Sequence, residues 1–144
     1  MSDYYLKPGL AQPKATDIDA PYWSGLREGV LRVQQCPVCQ GYQWGPEWIC
    51  YHCHSDEVTF VEVEPSGNIY SYERVWHPVH PALAEQGPYL VVLVELPQAG
   101  NIRMIGNLLG NAEQEVVVGG QVRGVYEHHE DADAPYTLLQ WEVV

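Results

Sequence analysis

The chain has 144 residues, about one domain or a small module joined to one, and 46% of them are hydrophobic, enough to bury a core. Seven Lys and Arg stand against nineteen Asp and Glu, a formal net charge of −12. Nucleic-acid affinity comes largely from Lys and Arg neutralising phosphates, and here those residues are few and scattered, so that class of partner is disfavoured.

Residues 1–17 carry Pro8 and Pro13, lack periodicity and read as an extended arm. The opening Met-Ser-Asp-Tyr-Tyr has neither a basic start nor an apolar stretch, so a secretory signal is not expected. The longest apolar run, Leu90 to Val94, is far too short for a bilayer. A cytoplasmic, reducing setting follows as the expectation, and there paired cysteines bind metal more often than they form disulfides.

Asp19-Ala20-Pro21 reads as a helix start, a capping carboxylate with proline in the first turn. The helix runs to about Glu28 and stops at Gly29, with Tyr22, Trp23, Leu26 and Val30 on one stripe. Val30 to Gln35 alternates and leads into Cys36-Pro37-Val38-Cys39, which is followed after ten residues by Cys50-Tyr51-His52-Cys53. Two residues between paired cysteines let both thiolates reach one ion, and two such knuckles complete a closed tetrahedral site. Cys36, Cys39, Cys50 and Cys53 are therefore the predicted metal ligands. A structural Zn²⁺ is the default, and iron uses the same four thiolates. Gly41 is expected to supply a positive φ where the backbone turns round the metal. His52 and His54 are read as exposed neighbours, and Trp44 and Trp48 flank Gly45-Pro46 at the tip between the knuckles.

From Val58 the pattern changes to strands: Val58 to Glu64, a turn over Pro65 to Asn68, Ile69 to Trp76, Tyr89 to Leu96, and Ile102 to Leu109. A hairpin follows, Glu115 to Val118 and Gln121 to His128 around Gly119-Gly120, and then a last strand, Thr137 to Val143. Short strands between turn signals suggest a small antiparallel barrel or sandwich. His77 to Pro88 is a Pro-rich loop whose His77 and His80 read as loop histidines rather than a second metal site. His128 and His129, being adjacent on a strand, point to opposite faces. By alternation Tyr70, Tyr72, Arg74 and Trp76 share one face, which suits barrel wall, a protein contact or base stacking. No phosphate-cradling glycine loop and no G-x-S-x-G elbow occurs.

The order of features resembles one family: Pro21 to Gly29, Gln35 to Gly41, Cys50 to Ser55, Ser66 to Tyr72, Pro88 to Leu96 and Val118 to Val122. It is similar to the acyl-CoA-associated family called domain of unknown function 35, over about Ile18 to Val144. One departure is Gly120, where a bulkier apolar residue is common, which loosens the predicted hairpin. The resemblance implies a mainly β fold: the arm over 1–17, a helix plus rubredoxin-like zinc ribbon over 18–57, and an OB-fold barrel over 58–144. It implies a non-catalytic companion of a thiolase-like enzyme in a hetero-oligomer, with any acyl-CoA pocket shared with that partner. Trp23, Trp44, Trp48, Tyr72 and Trp76 are then candidate partner contacts, and Arg74 and Arg103 candidate acyl-CoA contacts. The alternatives are a nucleic-acid-binding zinc-ribbon and OB-fold protein, or a small enzyme using His77 or His80.

Overall fold

The computed structural model describes residues 4–144, so Met1 to Asp3 of the arm lie outside the described residues. Ala20–Arg27 form α1, with Pro21 in the first turn, where its missing N–H costs nothing. Asp19 does not cap this helix with its side chain: its Oδ1 accepts instead from the backbone N–H and the hydroxyl of Thr16. The C-terminus is a Schellman turn. Gly29 takes φ +77°, its N–H reaches the Leu26 carbonyl at 3.1 Å, and the Val30 N–H reaches the Gly25 carbonyl at 2.8 Å. Eight residues are marginal as a free helix, and α1 packs Leu26 into the main core.

β1 (Leu31–Gln35), β2 (Tyr42–Gln43) and β3 (Thr59–Val63) form a three-stranded antiparallel sheet in the order β2-β1-β3. β3 was expected to open the barrel and turn back on the next strand. It pairs along the whole of β1 instead, from Leu31↔Val63 to Gln35↔Thr59. Leu31 and Val33 point into the core from β1, and β3 covers the edge that β1 would otherwise leave open. The segment read as a turn begins β4 (Ser66–Val75), and the bend is confined to Pro65, across which the Ser66 N–H bonds the Glu64 carbonyl at 2.9 Å.

The second sheet has β4, β5 (Tyr89–Leu96), β6 (Ile102–Asn107), β7 (Gln121–His129) and β8 (Tyr136–Val143) in the order β6-β5-β4-β7-β8, all pairs antiparallel. A parallel bridge Leu108↔Trp141 and the Leu109 N–H to Trp141 carbonyl bond of 2.7 Å bring β6 round to β8. The sheet thus curls into a nearly closed five-stranded barrel of OB type, and the sandwich alternative falls away. Leu90, Val92, Val94 and Leu96 fill it from β5, with Met104, Leu108, Val122, Leu139 and Trp141. Residues 115–118 form no strand. The Gly119 N–H and Gly120 carbonyl bond Ile69 on β4 instead, so the turn docks on the barrel wall and there is no hairpin for Gly120 to loosen.

Candidate metal centre and surrounding surfaces

Each knuckle is a tight turn closed by its own backbone. The Gln40 N–H bonds the Cys36 carbonyl at 2.8 Å and the His54 N–H bonds the Cys50 carbonyl at 3.0 Å. Return bonds run from Cys36 N–H to Gly41 (2.9 Å) and from Cys50 N–H to Ser55 (2.8 Å). The two knuckles are thereby near copies, and each places a left-handed residue directly after its second cysteine: Gln40 at φ +66° and His54 at φ +64°. The positive φ expected at Gly41 falls one residue earlier. Gly41 makes room for a neighbour instead: a Cβ there would lie 2.4 Å from the His52 ring, which crosses above it to bond the Tyr42 carbonyl at 2.9 Å and would have to shift.

The sulfurs of Cys36, Cys39, Cys50 and Cys53 lie within 4.8 Å of one another, with Cys36–Cys53 and Cys39–Cys50 at 3.6 Å. A disulfide would bring two of them to about 2.05 Å. Four sulfurs about 2.3 Å from a central ion sit at tetrahedral edges of about 3.8 Å, so the donor set fits a metal ion. Two backbone N–H groups already point at sulfur, Gly41 to Cys39 at 3.4 Å and His52 to Cys50 at 3.3 Å. The Cys50 thiol is lowered to about 6, foremost by the Cys53 N–H, against burial. Cys53 receives the Ser55 N–H, yet burial and the three neighbouring sulfurs push it up to about 12. Metal binding removes such protons, so affinity for the ion depends on pH. Among the described residues these cysteines are the one group of three or more Cys, His, Asp or Glu side chains whose ligand atoms converge.

Two buried glutamines, not flagged in the sequence, hold the loop between the knuckles. Gln34 and Gln43 are 3% and 2% exposed. The Gln43 amide donates to Gln34 Oε1 at 2.9 Å and to the Ile49 carbonyl at 3.0 Å, and its oxygen accepts from Tyr51 N–H at 2.8 Å. Gln34 accepts from Glu47 N–H at 2.9 Å and donates to the Glu47 carbonyl at 3.0 Å. The signal that points to them is polar residues where β1 and β2 face each other across the ladder, Gln34 opposite Gln43.

The tip so held presents Val38, Trp48, Ile49 and Tyr51, which are 58%, 67%, 49% and 48% exposed. Trp44 turns inward: its ring meets Tyr22 edge-on at 4.5 Å, and Tyr22 meets Trp23 at 5.0 Å, all three half-buried against the core. Of the predicted contacts at this end, Trp48 alone is freely presented. No Lys or Arg occurs between Arg32 and Arg74, a stretch holding Glu47, Asp56, Glu57, Glu62, Glu64 and Glu73.

The aromatic row on β4 does not share one face. A bulge at Tyr70 shifts the register from Ile69↔Val94 to Ser71↔Leu93. Tyr70 goes to the outer face, where the Arg103 guanidinium lies 3.6 Å from its ring centre and bonds Glu95 at 3.1 Å. Tyr72 and Arg74 pair with Val92 and Leu90 on the other face. Arg74 is half-buried, donates to the carbonyls of Ala112 (2.9 Å) and Gln114, and lies 5.4 Å over Trp76. The two arginines are therefore not brought together.

His80 Nδ1 accepts the Ala82 N–H at 3.1 Å and caps the short 3₁₀ turn Pro81–Leu83, while His77 is exposed and no ligand cluster includes it. His128 bonds Thr137 Oγ1 and His129 bonds Glu127 Oε1, each at 2.7 Å, on opposite faces as alternation requires. Among the described residues no helix is long and apolar enough to cross a membrane.

Two families match the chain in tandem: "ChsH2, rubredoxin-like zinc ribbon domain" over residues 23–59 and "ChsH2, C-terminal OB-fold domain" over 60–127. A "Probable enoyl-CoA hydratase alpha subunit" of Thermomonospora curvata is 34% identical over 115 residues, 78% of this chain. The "3-oxo-4,17-pregnadiene-20-carboxyl-CoA hydratase alpha subunit" of Mycobacterium tuberculosis is 25% identical over 92% of it. The chain spans 35% and 40% of the lengths of those two proteins. Among solved structures, an "Ltp2-ChsH2(DUF35) aldolase" chain superposes with a TM-score of 0.76 at 30% identity, covering 92% of this chain and 98% of that one. A DUF35 protein of Sulfolobus solfataricus has the same fold, with a TM-score of 0.63 at 16% identity over 90% of this chain and 87% of that one. With both modules matched in order on one continuous stretch, the chain belongs to the ChsH2-type zinc-ribbon and OB-fold family, DUF35.

Proposed function

We propose that the chain is a non-catalytic companion subunit that binds and stabilises a thiolase-superfamily acyl-CoA enzyme, an acyltransferase or an aldolase of sterol or lipid side-chain breakdown. The observation that carries this reading is the ribbon tip: an exposed aromatic surface on a loop fixed in advance by two buried glutamines. A rigid loop loses little entropy on docking, and Trp and Tyr are the residues on which interface energy concentrates. The relatives named as hydratase α subunits, and the similar chain of the "Ltp2-ChsH2(DUF35) aldolase" structure, support membership of an acyl-CoA enzyme assembly. The thiolase character of the partner rests on the family resemblance.

Zn²⁺ in the four-thiolate site plays a structural part, since four sulfurs leave no open position for substrate, and a reducing cytoplasm keeps them available. Trp48 is the leading contact, with Trp23 and Trp44 behind it, and Tyr72 and Trp76 form a second patch. Arg74 and Arg103 lie on different faces, so one of them at most is this chain's share of an acyl-CoA pocket completed by the partner. Arg103 is the better placed, its side chain 46% exposed, whereas Arg74 spends its N–H groups on loop carbonyls.

Co-expression with a thiolase-like protein taken from the genes that neighbour this one tests the reading. Trp48→Ala is expected to weaken the complex by about 2 kcal/mol or more, measured by calorimetry. Its melting temperature stays at the wild-type value, because the side chain touches little of its own fold. An unaltered affinity removes the tip from the interface, and no complex with any thiolase-like neighbour removes the companion role.

A further inference from the structure

The described part of the N-terminal arm is fastened across the barrel. It spans the β4–β5 connection, residues 76–88, and the β7–β8 connection, residues 130–135. With the barrel strands counted one to five, these are the first-to-second and fourth-to-fifth loops, which frame the ligand cleft of OB-folds.

On one side the Lys7 N–H donates to Gln86 Oε1 at 3.2 Å and Lys7 Nζ to the Glu85 carbonyl at 3.1 Å. On the other, the Tyr4 hydroxyl donates to Asp131 Oδ1 at 2.5 Å. The Tyr4 ring lies on His129 with centres 3.7 Å apart, and His129 lies on Tyr136 at 4.5 Å, so the imidazole is sandwiched between two phenols. His129 is held by Glu127, whose other oxygen accepts the Tyr5 N–H at 3.0 Å. Between the two sides the Tyr5 hydroxyl accepts the Leu90 N–H at 2.9 Å, at the start of β5. Beneath the arm a cavity of about 190 Å³ remains, walled by Leu6, Leu10, Leu138, Asn107 and Gln140.

We propose that this cleft is a ring-binding site and that residues 4–13 are its intramolecular ligand, with Tyr4 occupying a subsite that takes a phenolic ring. The subsite is defined by what touches Tyr4. An imidazole face stacks on the ring, and a carboxylate accepts the hydroxyl proton at its edge. That pairing selects a neutral aromatic ring bearing a hydrogen-bond donor. It rejects phosphorylated ligands, because the carboxylates of Glu127 and Asp131 line the position and Glu130 and Asp133 stand in the β7–β8 connection. Arg27 is paired with Glu130 at 3.5 Å, and Lys7 belongs to the arm itself. The cleft that serves single-stranded nucleic acid in other OB-folds is thus both filled and negatively charged here.

The test uses the whole chain carrying Tyr4→Ala, with p-cresol as the probe. Vacating the subsite is expected to speed amide exchange at Tyr5, Lys7 and Leu90 by about tenfold, since each of those N–H groups bonds across the arm–barrel junction. p-Cresol should then shift the His129 and Tyr136 ring resonances saturably in Tyr4→Ala and slow the exchange again, while leaving the wild-type spectrum unchanged. Adding Asp131→Asn to Tyr4→Ala should weaken the p-cresol response, and Tyr4→Phe should fall between wild type and Tyr4→Ala in exchange. Unchanged exchange in Tyr4→Ala overturns the arm's role as ligand. Faster exchange without a p-cresol response, or an equal response in wild type, overturns the ring subsite.

Discussion

In the barrel, strand after strand delivers aliphatic side chains to one interior: Leu90, Val92, Val94 and Leu96 from β5, Val122 from β7, Leu139 and Trp141 from β8. Between Gln34 and Val58 the fully buried residues are Gln34, Cys36, Gln43 and Cys50, two amides and two sulfurs. The first region is held by apolar area, a term spread over many residues, each worth about 1.5–3 kcal/mol. The second is held by a handful of atoms in directional bonds, each of which matters alone. Damage to the barrel should therefore be graded, and damage to the ribbon end abrupt and local.

Stripping the metal with a chelator, or making Cys36→Ser, presses hardest on that contrast. Structural zinc in small modules is worth on the order of 10 kcal/mol, so residues 36–57 should lose amide protection. The barrel should keep its strand signature, and β1 should stay docked through Leu31 and Val33. Simultaneous loss of both regions would show that they are a single cooperative unit. An unchanged melting temperature and unchanged protection would show that the cysteines hold nothing structural.

A smaller effect is expected from Gln43→Leu. It strands the Ile49 carbonyl and the Tyr51 N–H together and leaves Gln34 Oε1 with the Glu47 N–H alone. An unsatisfied buried group costs about 1–3 kcal/mol, and the loss should appear as faster exchange at Tyr51 and a lower melting temperature. If the variant is as stable as wild type, the polar interior of the ribbon is replaceable and the contrast with the barrel weakens.

The smallest effect concerns pH, where the arm meets the barrel. Donation from Tyr4 lowers the Asp131 carboxyl below its usual 3.8, and the same bond raises the Tyr4 phenol to about 12. The depressed acid contributes above its ordinary value and loses that contribution as pH falls through its lowered one. The raised phenol contributes below its ordinary 10 and loses that contribution as pH climbs toward about 12. Protection of the Tyr5 amide should therefore be flat through neutrality and fall at both extremes, and a sloping response near pH 7 would place control elsewhere.

The metal ligands were legible because chelation demands a spacing that the chain displays directly. Strand β5 was legible from its almost continuous apolar run, and β6 and β8 as short strands set off by turn signals. The partner of β3 was not, because alternation marks a strand without saying which edge it meets. Nor was the bulge at Tyr70, which one unpaired residue creates and which sends Tyr70 to one face and Tyr72 to the other. The arm lacks period and apolar content, and its docking depends on Tyr4, Tyr5 and Lys7 meeting residues about 80 to 127 positions away. The left-handed turn residues were sought at glycine, and the fold uses Gln40 and His54.

The absence of Lys and Arg between Arg32 and Arg74 has a practical side. Trypsin can release residues 33–74 only as one piece, with both knuckles, the tip and the start of the barrel on a single peptide. Amine-reactive cross-linkers find no handle anywhere on that surface, and lysine acetylation or ubiquitin attachment has no acceptor there. A partner seated on the tip would leave no trace in a lysine-based cross-linking map, and chemistry aimed at Glu47, Asp56 and Glu57 is what would record it.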